Sequence, residues 1–74
     1  MSLLEGKIGS SYVVEELELD GAVERRLQAM GLTRGTRIQV LNNKKSGSVI
    51  FNVRGTRLAV GKKIAQAIKV REDS

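Results

Sequence analysis

The amino-acid sequence predicts a small all-β barrel of about five short strands, with one short helix between strands 1 and 2 and a helical turn before the last strand. Three observations lead to this prediction. Short runs alternate between apolar and polar residues, glycines separate the runs, and one segment has helical spacing. Closure of the barrel, full or nearly full, is favoured because it removes exposed strand edges. The 74 residues suit a single domain, 1–74, with 71–74 expected to be a frayed tail.

Residues 12–17 begin with three residues of high β propensity, Tyr-Val-Val, and form the predicted first strand. Asp20 follows and is suited to cap a helix, because its carboxylate can accept from the unpaired N–H groups of the first turn. The helix begins at Gly21, and apolar residues at i, i+4 and i+7 form one face: Val23, Leu27 and Met30. The opposite face carries Glu24, Arg25, Arg26 and Gln28.

The helix is predicted to end at Gly31, in the left-handed conformation of a C′ residue. Leu32 is then C″ and Leu27 is C3, and these two side chains should touch as they do in a Schellman motif. Residues 33–36 follow as a tight turn in which Gly35 supplies the positive φ of a type II turn.

The second half of the chain is predicted to be a meander. A strand over 36–41 places Ile38 and Val40 on one face, and a polar hairpin loop over 42–47 leads to a strand over 49–54. Gly55 and Thr56 suit a two-residue type II′ turn before a strand over 57–60. A helical turn runs from Gly61 to about residue 67, and residues 68–70 close the barrel as its last strand.

Charge is unevenly distributed along the chain, whose net charge is +5. Six of the eight acidic residues lie in the first 24 positions, whereas the segment 25–71 has no acid and twelve Lys or Arg residues. Such a distribution favours a polyanion or an acidic partner.

Several classes of function are disfavoured by composition. The chain has no Cys and no His, and it lacks a phosphate-binding loop motif, so neither an enzyme nor a cofactor is expected. The only clustered metal-ligand types are the carboxylates of Glu15, Glu16 and Glu18, which we interpret as a solvated strand edge with at most weak metal binding. No apolar run is long enough to span a bilayer and no secretory signal is visible, so a cytoplasmic protein without membrane insertion is expected.

Three motifs resemble one known family. They are RLxxMGLTxGTxIxV from residue 26, VRGTRLAV from residue 53 and AxxIxV from residue 65. Together they are similar to the FeoA family, the small cytoplasmic ferrous iron transport protein A of bacteria, and the resemblance extends over roughly residues 6–70. Arg34 stands where the family commonly has proline before glycine, and Ile64 stands where it often has a charged residue.

The resemblance implies a stand-alone SH3-like barrel that acts beside the membrane-embedded ferrous iron transporter, the B component, which has a cytoplasmic GTP-binding part. The A component would modulate that transporter as a non-enzymatic accessory protein, through contact with either its GTP-binding part or its membrane part. How it does so, by GTP hydrolysis, gating or assembly, is left open by the resemblance.

Protein binding through an arginine-rich surface is therefore the predicted activity. The predicted partner-binding residues are Arg25, Arg26, Gln28, Arg34 and Arg37. Four apolar side chains belong to the core in the main interpretation and to an apolar contact in the alternative one: Leu27, Met30, Leu32 and Ile64. Three glycines are assigned to structural turns: Gly31, Gly35 and Gly55. Self-association through exposed apolar residues stays open.

Nucleic-acid binding through the basic segment 25–71 is the alternative function, because lysine and arginine bind phosphates. It is disfavoured because single-stranded readers stack bases on exposed aromatic side chains. The chain has only two aromatic residues, and Phe51 is expected in the core, which leaves Tyr12.

Overall fold

The computed structural model describes residues 1–44 and 47–73. Its elements are, in chain order, a 3-10 helix at Leu3–Glu5, β1 Ser11–Leu17, α1 Gly21–Ala29, β2 Arg37–Asn43, β3 Ser48–Val53, β4 Thr56–Gly61, α2 Lys62–Ala67 and β5 Ile68–Glu72. The strands form one antiparallel sheet in the order β4-β3-β2-β1-β5, and α2 connects its two edge strands. The predicted five strands, intervening helix and late helical turn are confirmed. No helix in the described part of the chain is long and apolar enough to cross a bilayer.

The core lies on the concave face of the sheet and follows the predicted alternation. In β3 the side chains of Val49, Phe51 and Val53 are fully buried, while the residues between them are half-exposed. Phe51 is paired with Val40 on β2 and with Leu58 on β4, so it lies in the middle strand of a three-stranded layer. Apolar side chains from every strand join this single cluster.

The first ten residues carry a structural role that sequence reasoning missed. Ser2 and Glu5 form a capping box around the short 3-10 helix, which buries Leu3 completely. The amide of Asn43 donates to two carbonyls of this segment, Leu4 O at 2.9 Å and Gly6 O at 2.8 Å. The segment therefore closes one end of the barrel, and the Ser2-x-x-Glu5 spacing was the signal that could have revealed it.

Glu5 is the acidic member of that capping box. The backbone N–H of Ser2 donates to its carboxylate at 2.9 Å, and the Ser2 hydroxyl lies 3.3 Å from the same oxygen. The backbone hydrogen bond is the larger cause of a pKa lowered below the ordinary value for Glu5. The carboxylate is thus held in its charged form against the start of the chain.

Three predicted boundaries are wrong. Residues 71–73 are not a frayed tail, because Arg71 and Glu72 belong to β5 and pair with β1, and Asp73 N–H donates to the carbonyl of Ser11 at 3.2 Å. Ser74 lies outside the described residues. The loop predicted over 42–47 begins later, because β2 continues through Asn43. Residues 45 and 46 of that loop lie outside the described residues.

The third error concerns the turn between β3 and β4. Val53 pairs with Thr56, so the two loop residues are Arg54 and Gly55 and not Gly55 and Thr56. Both have positive φ, 50° for Arg54 and 79° for Gly55, which is the pattern of a type I′ turn. Arg54 is the one non-glycine residue with positive φ among the described residues.

Replacement of Arg54 by asparagine is expected to stabilise the protein by about 0.5–1 kcal/mol. The left-handed conformation costs a residue with a long side chain roughly this much, whereas Asn-Gly is the preferred pair for a type I′ turn. The urea midpoint measures the change, with Arg57→Asn in the adjacent strand as a control that should gain nothing. A lower midpoint for Arg54→Asn would show that the arginine side chain contributes more than its backbone conformation costs.

Candidate docking surface

Helix α1 presents its basic side chains from a firmly fixed position. The Asp20 carboxylate accepts from the N–H groups of Ala22 and Val23, both at 3.1 Å, so the predicted cap is confirmed. Leu27 is buried and Val23 packs against the core, which turns the other face of the helix outward. That outer face exposes Arg25, Arg26 and Gln28.

The end of α1 is a complete Schellman motif. The N–H of Leu32 donates to Leu27 O and that of Gly31 donates to Gln28 O, both at 3.0 Å. Gly31 has φ 98°, the left-handed value that this position requires. Leu27 and Leu32 are both buried, which joins the end of the helix to the core.

A tight turn follows and directs Arg34 into solvent. Thr36 N–H donates to Thr33 O at 3.1 Å, and Gly35 has φ 83°, as a type II turn requires. Gly35 N–H also donates to Val14 O at 2.7 Å, which ties the turn to β1. Arg34 therefore sits at an exposed corner of an anchored turn.

Arg54 joins this surface although sequence reasoning did not select it. Its aliphatic chain lies against Gly31, where an added Cβ would be 3.4 Å from Arg54 Cδ. The β3–β4 turn thus meets the end of α1, a contact between distant parts of the chain that no local pattern signals. We call the surface formed by Arg25, Arg26, Arg34 and Arg54 the arginine face.

No arginine of the arginine face forms an ion pair within the described residues. Within the described residues, ion pairs involve only other basic residues, which are Arg37, Lys69 and Arg71. Met30, the C-cap residue of α1, is 39% exposed and adds an apolar side chain next to Gly31, which Arg54 contacts. The face therefore combines forked hydrogen-bond donors with one exposed apolar side chain.

Arg37 is placed differently from the other predicted partner-binding residues. Its Nε lies 2.7 Å from an oxygen of Asp73, so its guanidinium already has a carboxylate partner. Its position at the start of β2 puts it on the outer surface of the sheet. Binding a further acidic group there would require breaking or sharing this ion pair.

The apolar alternative is wrong for two of its four residues. Leu27 is 5% and Leu32 is 0% exposed, because the Schellman motif packs both into the core. Ile64 is half-buried on α2 and packs against the core, apart from the arginine face. Of these four residues, Met30 alone is substantially exposed.

Two of the three clustered acidic residues, Glu15 in β1 and Glu18 just after it, lie near basic side chains. Glu15 lies 3.9 Å from Arg71 and Glu18 lies 3.9 Å from Lys69. Among residues 1–44 and 47–73, no group of three or more potential ligands could hold a metal ion. The carboxylates of Glu15 and Glu18 therefore act as counter-charges to basic side chains of β5.

Both aromatic side chains of the protein are buried. Phe51 is 0% exposed and Tyr12 is 1% exposed, and the Tyr12 hydroxyl accepts from Lys7 N–H at 2.8 Å. Neither ring is available for stacking against a nucleobase.

Comparison with known proteins agrees with this architecture. The solution structure of FeoA from Chlorobium tepidum superposes with a TM-score of 0.92 at 32% identity, over 100% of this chain and 71% of that one. A crystal structure of an iron uptake regulatory protein, FeoA, gives a TM-score of 0.88 at 35% identity, over 97% of this chain and 96% of the other. FeoA of Stenotrophomonas maltophilia in complex with zinc, described as an SH3 domain protein, gives 0.82 at 25% identity, over 96% and 89%.

Sequence comparison leads to the same family. A Methanocaldococcus jannaschii protein, provisionally named Fe(2+) transport protein A, is 29% identical over 66 residues, which cover 89% of this chain and 79% of that protein. Residues 1–72 match the FeoA domain. The fold is SH3-like, as the resemblance implied, and the chain belongs to the FeoA domain family of ferrous iron transport accessory proteins.

Proposed function

We propose that this protein docks on the cytoplasmic GTP-binding part of the membrane ferrous iron transporter and modulates it without catalysing a reaction itself. Membership of the FeoA family supports a role in ferrous iron transport. The Stenotrophomonas maltophilia relative is described as a candidate activating factor of bacterial ferrous iron transport. The proposed site of action is the cytoplasmic surface of the membrane.

The arginine face is the observation that carries this proposal. Its guanidinium groups have no acidic partner among the described residues, and they are held by a capped helix, a Schellman motif and two anchored turns. A preorganised surface loses little conformational entropy on binding, and arginine forks match carboxylates on a partner. Met30, at the C-terminal end of α1, offers an apolar contact for such an interface.

Binding of nucleic acid is less well supported than binding of protein. The acid-free segment would attract phosphates, yet both aromatic rings are in the core and cannot stack with bases. Phosphate binding would also weaken steeply as salt increases, because each neutralised phosphate releases counterions. An interface with an apolar centre should depend less on salt.

Charge reversal on α1 is expected to weaken docking at least tenfold. Calorimetry would measure binding of the protein to the isolated cytoplasmic part of the transporter from the same organism, with and without a GTP analogue. The double variant Arg25→Glu/Arg26→Glu places two carboxylates where the partner is expected to present acids, which costs at least about 1.4 kcal/mol of binding free energy.

The matched control is Lys62→Glu/Lys63→Glu, which makes the same change in net charge at exposed positions at the start of α2, at the end of the sheet opposite α1. Equal weakening by both double variants would mean that only net charge matters and would reject the arginine face. Salt-sensitive binding to an oligonucleotide, with no binding to the transporter, would favour the nucleic-acid alternative.

A further inference from the structure

Four lysines lie at the end of the barrel opposite α1. Lys7 precedes β1, Lys44 follows β2, and Lys62 and Lys63 begin α2 directly after β4. The start of β1 and the ends of β2 and β4 meet at the same end of the antiparallel sheet. Helix α1 joins the end of β1 to the start of β2, so the arginine face lies at the other end.

This lysine end surrounds an open cleft with apolar walls. The cleft has a volume of about 530 Å³ and is lined by Leu4, Gly6, Lys7, Ile8, Asn43 and Lys62. Ile8 is 63% exposed, more than any other large apolar side chain among the described residues. An aliphatic tip between lysines is the arrangement found in proteins that bind at the membrane–water interface.

The exposure of Ile8 is enforced by the backbone around it. Ser10 N–H donates to Lys7 O at 3.1 Å, and Gly9 has φ 88°, so Ile8 occupies the corner of a tight turn. Gly9 N–H donates to Val40 O at 2.7 Å, and its carbonyl accepts from the Gln39 amide at 3.2 Å. The turn is fastened to β2 and cannot fold Ile8 inward without breaking these bonds.

The basic groups at this end suit a diffuse anionic surface. All four lysines are exposed, and none forms an ion pair within residues 1–44 and 47–73. Lysine is a flexible point charge, whereas arginine is the residue that recognises individual carboxylates through a fork. The one acid of the adjacent segment, Glu5, is already bonded to Ser2.

We propose that the lysine end binds the surface of an anionic lipid bilayer, with Ile8 entering the headgroup region and Lys7, Lys44, Lys62 and Lys63 contacting lipid phosphates. The protein lies on the bilayer and does not span it. Since the arginine face is at the opposite end of the barrel, it remains free for a protein partner. The proposal depends only on the lysine end and holds whether or not the arginine face docks on the transporter.

Cosedimentation with lipid vesicles tests the proposal. Wild-type protein is expected to bind vesicles of phosphatidylglycerol and phosphatidylcholine and not vesicles of phosphatidylcholine alone. Lys7→Glu/Lys62→Glu should lower the partition coefficient at least tenfold, since each lysine near an anionic surface contributes roughly fivefold. Ile8→Ser should lower it about fivefold while leaving the electrostatic component intact. Ile8 is mainly in solvent, so its replacement leaves the fold unchanged.

Three results would overturn the proposal. The first is no binding to anionic vesicles at low salt. The second is an equal loss in Arg57→Glu/Arg71→Glu, which would show attraction by net charge alone. The third is vesicle binding that Lys7→Glu/Lys62→Glu leaves unchanged while transporter binding is lost, which would make the lysine end a protein-docking surface. The vesicles contain no transporter, so their outcome is separate from that of the calorimetric test.

Discussion

Phe51→Ala is expected to remove most of the stability of the protein. A buried phenylalanine truncated to alanine costs about 3–5 kcal/mol, because apolar burial is lost and a cavity is left. A domain of 74 residues has roughly 4–11 kcal/mol in total. Phe51 is fully buried in β3, between β2 and β4, so three strands lose their common contact. Thermal unfolding should show a midpoint lower by about 15 °C or more.

The neighbouring residue provides the control for this experiment. Asn52 is half-exposed and points to the other face of the same strand, so Asn52→Ala should change stability by less than about 1 kcal/mol. Phe51→Leu should lie between the two variants, because it keeps most of the apolar volume. A loss below about 1 kcal/mol for Phe51→Ala would contradict the central position of this side chain in the core.

Asn43→Ala is expected to cost about 2 kcal/mol and to release the first ten residues from the barrel. Its amide donates to Leu4 O and Gly6 O, and these part-buried carbonyls would lose their protein donor. Urea unfolding measures the global loss. Amide hydrogen exchange measures the local loss of structure. Compared with wild type, exchange of the N–H groups of Gly6 and Gly9 should be accelerated more than exchange of those in β3.

Asn42→Ala is the matched control, because Asn42 is the adjacent residue of β2 and is also half-buried. It makes no side-chain hydrogen bond within the described residues, so stability should change little. Similar effects of both substitutions would indicate a general strain in β2. Unchanged exchange at Gly6 and Gly9 in Asn43→Ala would show that burial of Leu3 and the other hydrogen bonds of the segment hold it without Asn43.

Local chemistry explains the parts of the structure that the sequence predicted well. Alternation in β3 reported its buried face because the side-chain period of a strand is two. The Asp20 cap and the Gly31 C′ position depend on neighbouring residues alone, so they too were readable. The sequence also correctly predicted that four polar side chains on α1 and the following turn face solvent: Arg25, Arg26, Gln28 and Arg34.

The remaining features depend on pairing between distant residues. Gly55 fits both a type I′ and a type II′ turn, and the register of Val53 with Thr56 selects the first. Arg71 and Glu72 look like a polar tail until β1 supplies a partner strand. Arg54 reaches the arginine face only because the β3–β4 hairpin returns to Gly31. The lysine end likewise comes from three chain segments that the sheet brings together.

A backbone hydrogen bond between Met1 and β5 brings the two ends of the described chain close together. Met1 O accepts from Val70 N–H at 2.8 Å, and Asp73 is only three residues further along, within roughly 10 Å. A flexible linker of about four residues would join these two points. The protein could then be opened at the β3–β4 turn to give a circular permutant that begins with β4 and ends with β3. The strand order of the sheet would be retained. The cut removes only the covalent connection between β3 and β4, and the other strand pairs do not depend on it.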